Sequence, residues 1–186
     1  MKIILFDTPA GTPIDTDTKS VLIPDSAIIA QRQPVFLPSI HGVTRWKAAV
    51  ALAFHIGRLG KGISQRFAPR YVDGVAPLLW LLPDGGRPLD NVGHYGFDNA
   101  LVPSRWLGVE CEAPATATIE VPEAGLSVTA ACDAGAAAAA IAAASATMTL
   151  KSGDMIIPGI MGHIPISAGR VSLRFDGEEV INRRVI

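Results

Sequence analysis

Residues 46–56 read WKAAVALAFHI. Trp46, Ala48, Val50, Leu52, Phe54 and Ile56 alternate onto one face, and Lys47, Ala49, Ala51, Ala53 and His55 onto the other. Side chains of a strand alternate with period two, so this stretch predicts one long strand with an apolar face. Further along, residues 75–82 (VAPLLWLL) are apolar without a break. That pattern fits a buried strand or a tight core segment. The two stretches together predict a fold organised around a sheet.

Shorter elements surround this pair. Lys2–Phe6 reads as a strand, and residues 7–20 (DTPAGTPIDTDTKS) as a polar, turn-rich loop. Val35–Leu37 lies between Pro34 and Pro38, which suits an edge strand. Ser64 is a candidate N-cap for a short helix that Pro69 would limit. Residues 83–96 have the composition of an exposed loop. Thr116–Val121, Lys151–Ile157 and Val171–Phe175 read as strands, and Asp176-Gly177 as the turn of a hairpin. Residues 134–146 (AGAAAAAIAAASA) predict a helix with Asp133 at its start, since alanine has the highest helix propensity and a side chain small enough for close packing. The 18 glycines and 14 prolines are spread along the chain. Residues 1–186 therefore read as one mostly β domain with few helices.

Composition excludes several classes of function. The chain has 186 residues and a net charge of −1, from 16 Lys and Arg against 17 Asp and Glu. No basic stripe of a nucleic-acid binder and no polybasic membrane anchor is expected from that balance. Apolar residues are 49% and charged residues 18%, which excludes a disordered chain. No window approaches the length of a membrane span, and the apolar run Ile3–Phe6 is too short for a secretory leader. Cys111 and Cys132 form no CxxC or Cys/His cluster, which suits a reducing cytoplasm.

Five stretches carry a resemblance. They are PDSAIIAQRQPVFLPS (24–39), ALAFHIGRLGKGISQRFAPRYVDGV (51–75), GFDNALVPSRWL (96–107), TMTLKSGDMIIPG (147–159) and a last strand ending INRRVI (181–186). In that order and spacing they resemble the fumarylacetoacetate hydrolase family. They are most similar to its short bacterial members, labelled 2-hydroxyhepta-2,4-diene-1,7-dioate isomerases. TLKSGDMI is the most specific piece. The resemblance implies a mixed β-roll, usually a homodimer. It also implies chemistry on carbon–carbon systems beside a 2-oxo acid, supported by Mg²⁺, Mn²⁺ or Ca²⁺. In such a site the cation chelates the oxo acid, stabilises an enolate and is held by three carboxylates.

The same alignment sets alanine and tryptophan where those carboxylates belong. The family's Glu-x-Glu pair aligns with Ala49 and Ala51, and its Asp with Trp80, in a segment that has no acid from Val75 to Leu82. The family's catalytic Lys aligns with Tyr95, just before Phe97-Asp98, and its N-terminal His has no counterpart in residues 7–23. Its Thr-Gly-Thr-Pro loop reads Pro158-Gly159-Ile160-Met161, with only Gly159 kept. Glu110 and Glu112, around Cys111, are the i, i+2 Glu pair of the chain and read as a solvated strand face. His41 and His163 read as lone loop histidines. Lys47, His55, His94, Tyr95 and Asp98 are the remaining pocket candidates, with Lys47 able to hold an anion where a metal would sit.

These readings predict a protein of this family without a metal cofactor and without its catalysis. It would be a binding or partner subunit, as a homodimer or beside an active homologue. The rival expectation is an active hydrolase or isomerase on an acylpyruvate-like 2-oxo acid, using Lys47, His94, Tyr95 and Asp98.

Overall fold

The structure is a computed structural model that describes residues 1–30, 32–86, 91–109 and 115–186. Its strands, in chain order, are β1 (Ile3–Phe6), β2 (Ser20–Ile23), β3 (Trp46–Ile56), β4 (Val72–Pro83), β5 (Leu101–Pro103) and β6 (Leu107–Gly108). They continue with β7 (Thr116–Val121), β8 (Leu126–Ala131), β9 (Met155–Ile157), β10 (Ile160–Ile166), β11 (Gly169–Phe175) and β12 (Glu178–Val185). Two α-helices accompany them, α1 (Asn91–Tyr95) and α2 (Ala138–Thr147). The chain is mostly β, as the sequence predicts.

The larger sheet runs β2-β1-β9-β3-β4-β5, with β10 added to β3 and β6 to β4; the smaller runs β12-β11-β7-β8. The 46–56 stretch is the centre of the larger sheet. It pairs antiparallel with β4 along its whole length and with β10 along its first half. Its even face, Ala48 to Ile56, packs on a core shared with α2 and with Ile119, Leu173 and Ile181 of the smaller sheet. Its odd face, Ala49, Ala51 and Ala53, joins a second core with Ile3, Leu5, Trp80 and Ile157. β4 lies between these two cores, which is why its apolar run is unbroken.

Local chemistry explains the connections. Asp176 and Gly177 both take positive φ, the requirement of a type I′ hairpin turn, and they join β11 to β12. The Asp133 carboxylate accepts from the Gly135 amide and starts a 3₁₀ turn that runs into α2. The TLKSGDMI motif has a structural purpose. Asp154 is buried and accepts from the backbone amides of Lys2 and Lys151, each at 2.8 Å, and from the Lys2 ammonium at 2.5 Å. It fastens the start of β1 to the turn before β9. Burial would raise this carboxyl, but the bonds from Lys2 and Lys151 outweigh it and hold its pKa down.

Several expectations are corrected. Val35–Leu37 forms only an isolated parallel bridge, Val35 to Val185, rather than a full strand, although the Val35 and Leu37 amides donate to the Arg184 and Ile186 carbonyls and the Ile186 amide donates to the Val35 carbonyl. Lys151–Gly153 is a turn, and only Met155–Ile157 is strand. Ser64 caps nothing with its side chain; its carbonyl accepts from Phe67 and Ala68, and the helical segment is a 3₁₀ turn at Ala68–Tyr71. The segment 83–96 is not all exposed loop, since it contains α1 with a buried Tyr95. β2, β5, β6, β8 and β10 were not predicted. Glu110, Cys111 and Glu112 lie outside the described residues.

Candidate functional site

The site is built on the odd face of β3. Directly opposed residues of an antiparallel pair share a face. His163 on β10, Ala49 on β3 and Trp80 on β4 therefore form one cross-strand row. One step along, Ile160, Ala51 and Leu78 form the next. Ala49, Ala51 and Trp80 are each fully buried. These three positions, which the sequence resemblance sets against carboxylates, are thus neighbours on one face, and they present two methyl groups and an indole. None offers an oxygen to a divalent cation. Among the described residues, no group of three or more His, Cys, Asp and Glu side chains could hold a metal ion.

Trp80 is held from one side by α1. Its indole N–H donates to the Tyr95 carbonyl at 3.1 Å, and the Tyr95 ring stacks on it with centroids 5.4 Å apart. The Tyr95 hydroxyl donates to Asp7 Oδ2 at 2.7 Å, and the Lys19 ammonium donates to both of them at 3.1 Å. This triad joins the end of β1 and the segment before β2 to α1. Burial would raise the Asp7 carboxyl, but the hydrogen bonds from Tyr95 and Lys19 hold it below the ordinary carboxylate range. Burial and the bond to Asp7 push the Tyr95 hydroxyl up, so it stays neutral and acts as a donor.

Two histidines and a second lysine complete the cluster. His94 packs edge-on against Tyr95 at 4.5 Å. Burial first, then the Lys47 charge, lowers the His94 pKa, with Asp7 opposing. Desolvation and Lys47 lower His163 in the same way, again against Asp7. The neutral form of both imidazoles is thereby favoured. Lys47 lies 3.9 Å from Asp84, a loose ion pair. Asp7, Thr8, Ile160, Gly162 and His163 line an open cleft of about 310 Å³ at this end. A larger cavity of about 570 Å³ opens on the even face, against Leu52, Phe54, Val128 and Met161, with no charged side chain in its wall.

Of the residues singled out from sequence, the fold brings Lys47, His94 and Tyr95 together and separates the other two. His55 shares the odd face but lies eight residues from Lys47, roughly 26 Å along the strand. There its Nδ1 pairs with Asp73 at 2.5 Å and its ring lies against Trp106. Asp98 is exposed in the turn after α1. His163 is no lone loop residue, because it stands on β10 directly opposite Ala49. Asp7 and Lys19 were missed. They sit at the edges of a loop with ordinary loop composition, and their partner is 88 and 76 residues away.

No family model matches the sequence, and no curated protein matches it. Solved structures do. Maleylpyruvate hydrolase from Sphingobium sp. SYK-6, solved with manganese(II) and pyruvate, is 25% identical with a TM-score of 0.77 over 100% of this chain and 70% of that one. 2-Hydroxyhepta-2,4-diene-1,7-dioate isomerase from Mycobacterium marinum is 24% identical, TM-score 0.75, over 100% and 74%. Fumarylpyruvate hydrolase from Pseudomonas aeruginosa, with Mn²⁺ and pyruvate, is 18% identical, TM-score 0.75, over 100% and 89%. These neighbours are fumarylacetoacetate hydrolase family proteins, and the chain has the fold of that family from end to end.

Proposed function

We propose that this chain is a fumarylacetoacetate-hydrolase-like protein that lacks the family's metal-dependent catalysis and serves as a binding or partner subunit. The observation that carries the reading is the group of Ala49, Ala51 and Trp80, fully buried side chains with no oxygen ligand on one face of two paired strands. The cluster of Asp7, Lys19 and Tyr95 supports it. The tyrosine hydroxyl at the position of the family's lysine is committed to Asp7 and has a raised pKa, so it is a poor proton donor to substrate at neutral pH. Lys47, beside His94 and His163, is the group suited to hold a carboxylate there. The partner in this reading is a second copy of the chain, or a homologous chain that carries the metal. A reducing cytoplasm suits the free Cys132 thiol.

The test combines thermal denaturation with an activity screen. Millimolar Mg²⁺ or Mn²⁺ is expected to leave the melting temperature unchanged, since a ligand of the native state would raise it by linkage. Fumarylpyruvate and maleylpyruvate, taken from the activities that name the neighbours, are expected to survive incubation with the protein and either metal. Enzyme-like turnover of either would instead favour the rival reading, a hydrolase or isomerase of 2-oxo acids, for which Lys47, His94, Tyr95 and Asp98 are the candidates. Light scattering is expected to give a dimer mass, and a monomer at micromolar concentration would remove the homodimer from the reading.

A further inference from the structure

The opposite end of β3 and β4 carries a surface of different character. Arg58, Lys61, Arg66 and Arg70 fall within thirteen residues, and no Asp or Glu occurs from Gly57 to Val72. All four are exposed. None is ion-paired among the described residues, as is also true of Arg170 and Arg174 on β11; what sets these four apart is that they lie together beside exposed apolar groups. Asp73, a carboxylate in the wall of the same patch, is engaged by His55. Its carboxylate lies over Gly57, where a Cβ would have to displace it. This arrangement leaves the four cations without a carboxylate in an ion pair among the described residues.

Apolar groups are interleaved with these charges. Seven large apolar side chains stand exposed among the described residues, and three of them are here: Leu59 at 69%, Phe67 at 45% and Trp106 at 41%. The Arg66 and Arg70 guanidiniums lie over the Phe67 ring at 5.7 and 5.2 Å. Stacking of this kind restrains a guanidinium while leaving its donor edge open to a carboxylate. Arg58 and Arg70, with Tyr71 and Asp73, line a cleft of about 300 Å³. The Trp106 ring lies against His55, and so flanks the Asp73 side of the cleft.

We infer that this surface docks an acidic protein segment, with a carboxylate seated between Arg58 and Arg70 and an apolar side chain beside Phe67 or Trp106. Uncompensated charge of one sign selects a partner of the other. Arginine with exposed aromatic rings is the composition of protein interfaces. A nucleic acid is the poorer complement. The chain as a whole is at −1, and a phosphate backbone has nothing to cover Leu59. The inference does not rest on the loss of the metal site, which concerns the other end of the strand.

The experiment measures anisotropy of a labelled peptide of alternating Glu and Leu with one Trp, added to the full chain. Binding is expected at low salt, weakening at least about tenfold as ionic strength rises past physiological values. The double charge reversal Arg58→Glu, Arg70→Glu is expected to abolish it, and Phe67→Ser to weaken it severalfold. Arg170→Glu with Arg174→Glu, an equal charge change on exposed residues of β11, is expected to leave it within twofold. The salt response of the unaltered chain stands even where a variant fails to fold. The inference is overturned by no peptide binding, by equal loss in the β11 pair, or by tighter binding of a single-stranded oligonucleotide or of phosphatidylserine vesicles through the same arginines.

Discussion

The two faces of β3 differ in what they are made of, although they share one backbone. The even face carries Val50, Leu52, Phe54 and Ile56 and meets α2 and the smaller sheet with large side chains. The odd face carries Ala49, Ala51 and Ala53, and Trp80 from β4 supplies its bulk. A strand that only needed to be buried twice would carry large residues on both sides. From Ala49 to Ala53 the odd face carries only small side chains on β3, and the space above them is taken by a tryptophan stacked on a tyrosine. The even face is thus filled by large side chains of the strand itself, while the odd face is filled by a partner strand's tryptophan over three alanines.

The harshest test of that contrast is to return acids to the odd face. The triple change Ala49→Glu, Ala51→Glu, Trp80→Asp removes a buried indole and adds three unpaired carboxylates. The cavity alone costs about 3–5 kcal/mol, and buried like charges add several more. Urea denaturation is expected to show a chain with little stability left, part of which returns with Mg²⁺ or Mn²⁺. A loss that is identical with and without metal would mean that the three positions do not converge on a cation. On the even face, Phe54→Ala is expected to cost about 3–5 kcal/mol with no response to metal, against about 1 kcal/mol for Ala53→Gly.

Much of this contrast is legible in sequence, and the reasons are physical. Period-two alternation over 46–56 marks β3 to the residue, and an unbroken apolar run marks β4. The type I′ hairpin follows from Asp176-Gly177, because few residue pairs accept two positive φ angles. β10 is hidden by Gly162 and Pro165, which read as turn residues, yet its pairing with β3 supplies their place in the ladder. His163 is lost with it. The Asp7, Lys19 and Tyr95 triad has no local signature at all, since its members meet only through tertiary closure. Alternation does put His55 on the right face, but it cannot say that the strand is too long for Lys47 and His55 to share a site.

Asp154 offers a smaller effect in a region that both cores depend on. Asp154→Asn keeps the shape and removes the charge from bonds to two amides and an ammonium. Charge-assisted bonds of this kind contribute about 1.5–3 kcal/mol, so a loss of that order is expected at neutral pH. The folded-state pKa is lowered, so the stabilisation is present above the unfolded carboxylate value near 4 and is lost as pH falls through the folded value. The difference between parent and variant should therefore shrink in acid. A constant difference from pH 7 to pH 3 would show that Asp154 acts through shape alone.

The smallest expected effect asks whether the odd-face cluster behaves as one electrostatic unit. Lys47 lowers the pKa of both His94 and His163, and Asp7 raises both. Lys47→Met is therefore expected to move the two imidazole titrations upward, and Asp7→Asn to move the same two downward, by NMR of the ring protons. For His94 the folded-state pKa lies below the unfolded value near 6.5, so the unfolded chain takes up the proton first. Stability then falls as pH drops through about 6.5, and Lys47→Met should reduce that fall because the folded histidine protonates more easily. The His55 signals, roughly 26 Å along the strand, provide the internal check that a change is local. Opposite movements of His94 and His163 in one variant would break the cluster into separate surface groups, and with it the case that Lys47 faces the same ligand as the two histidines.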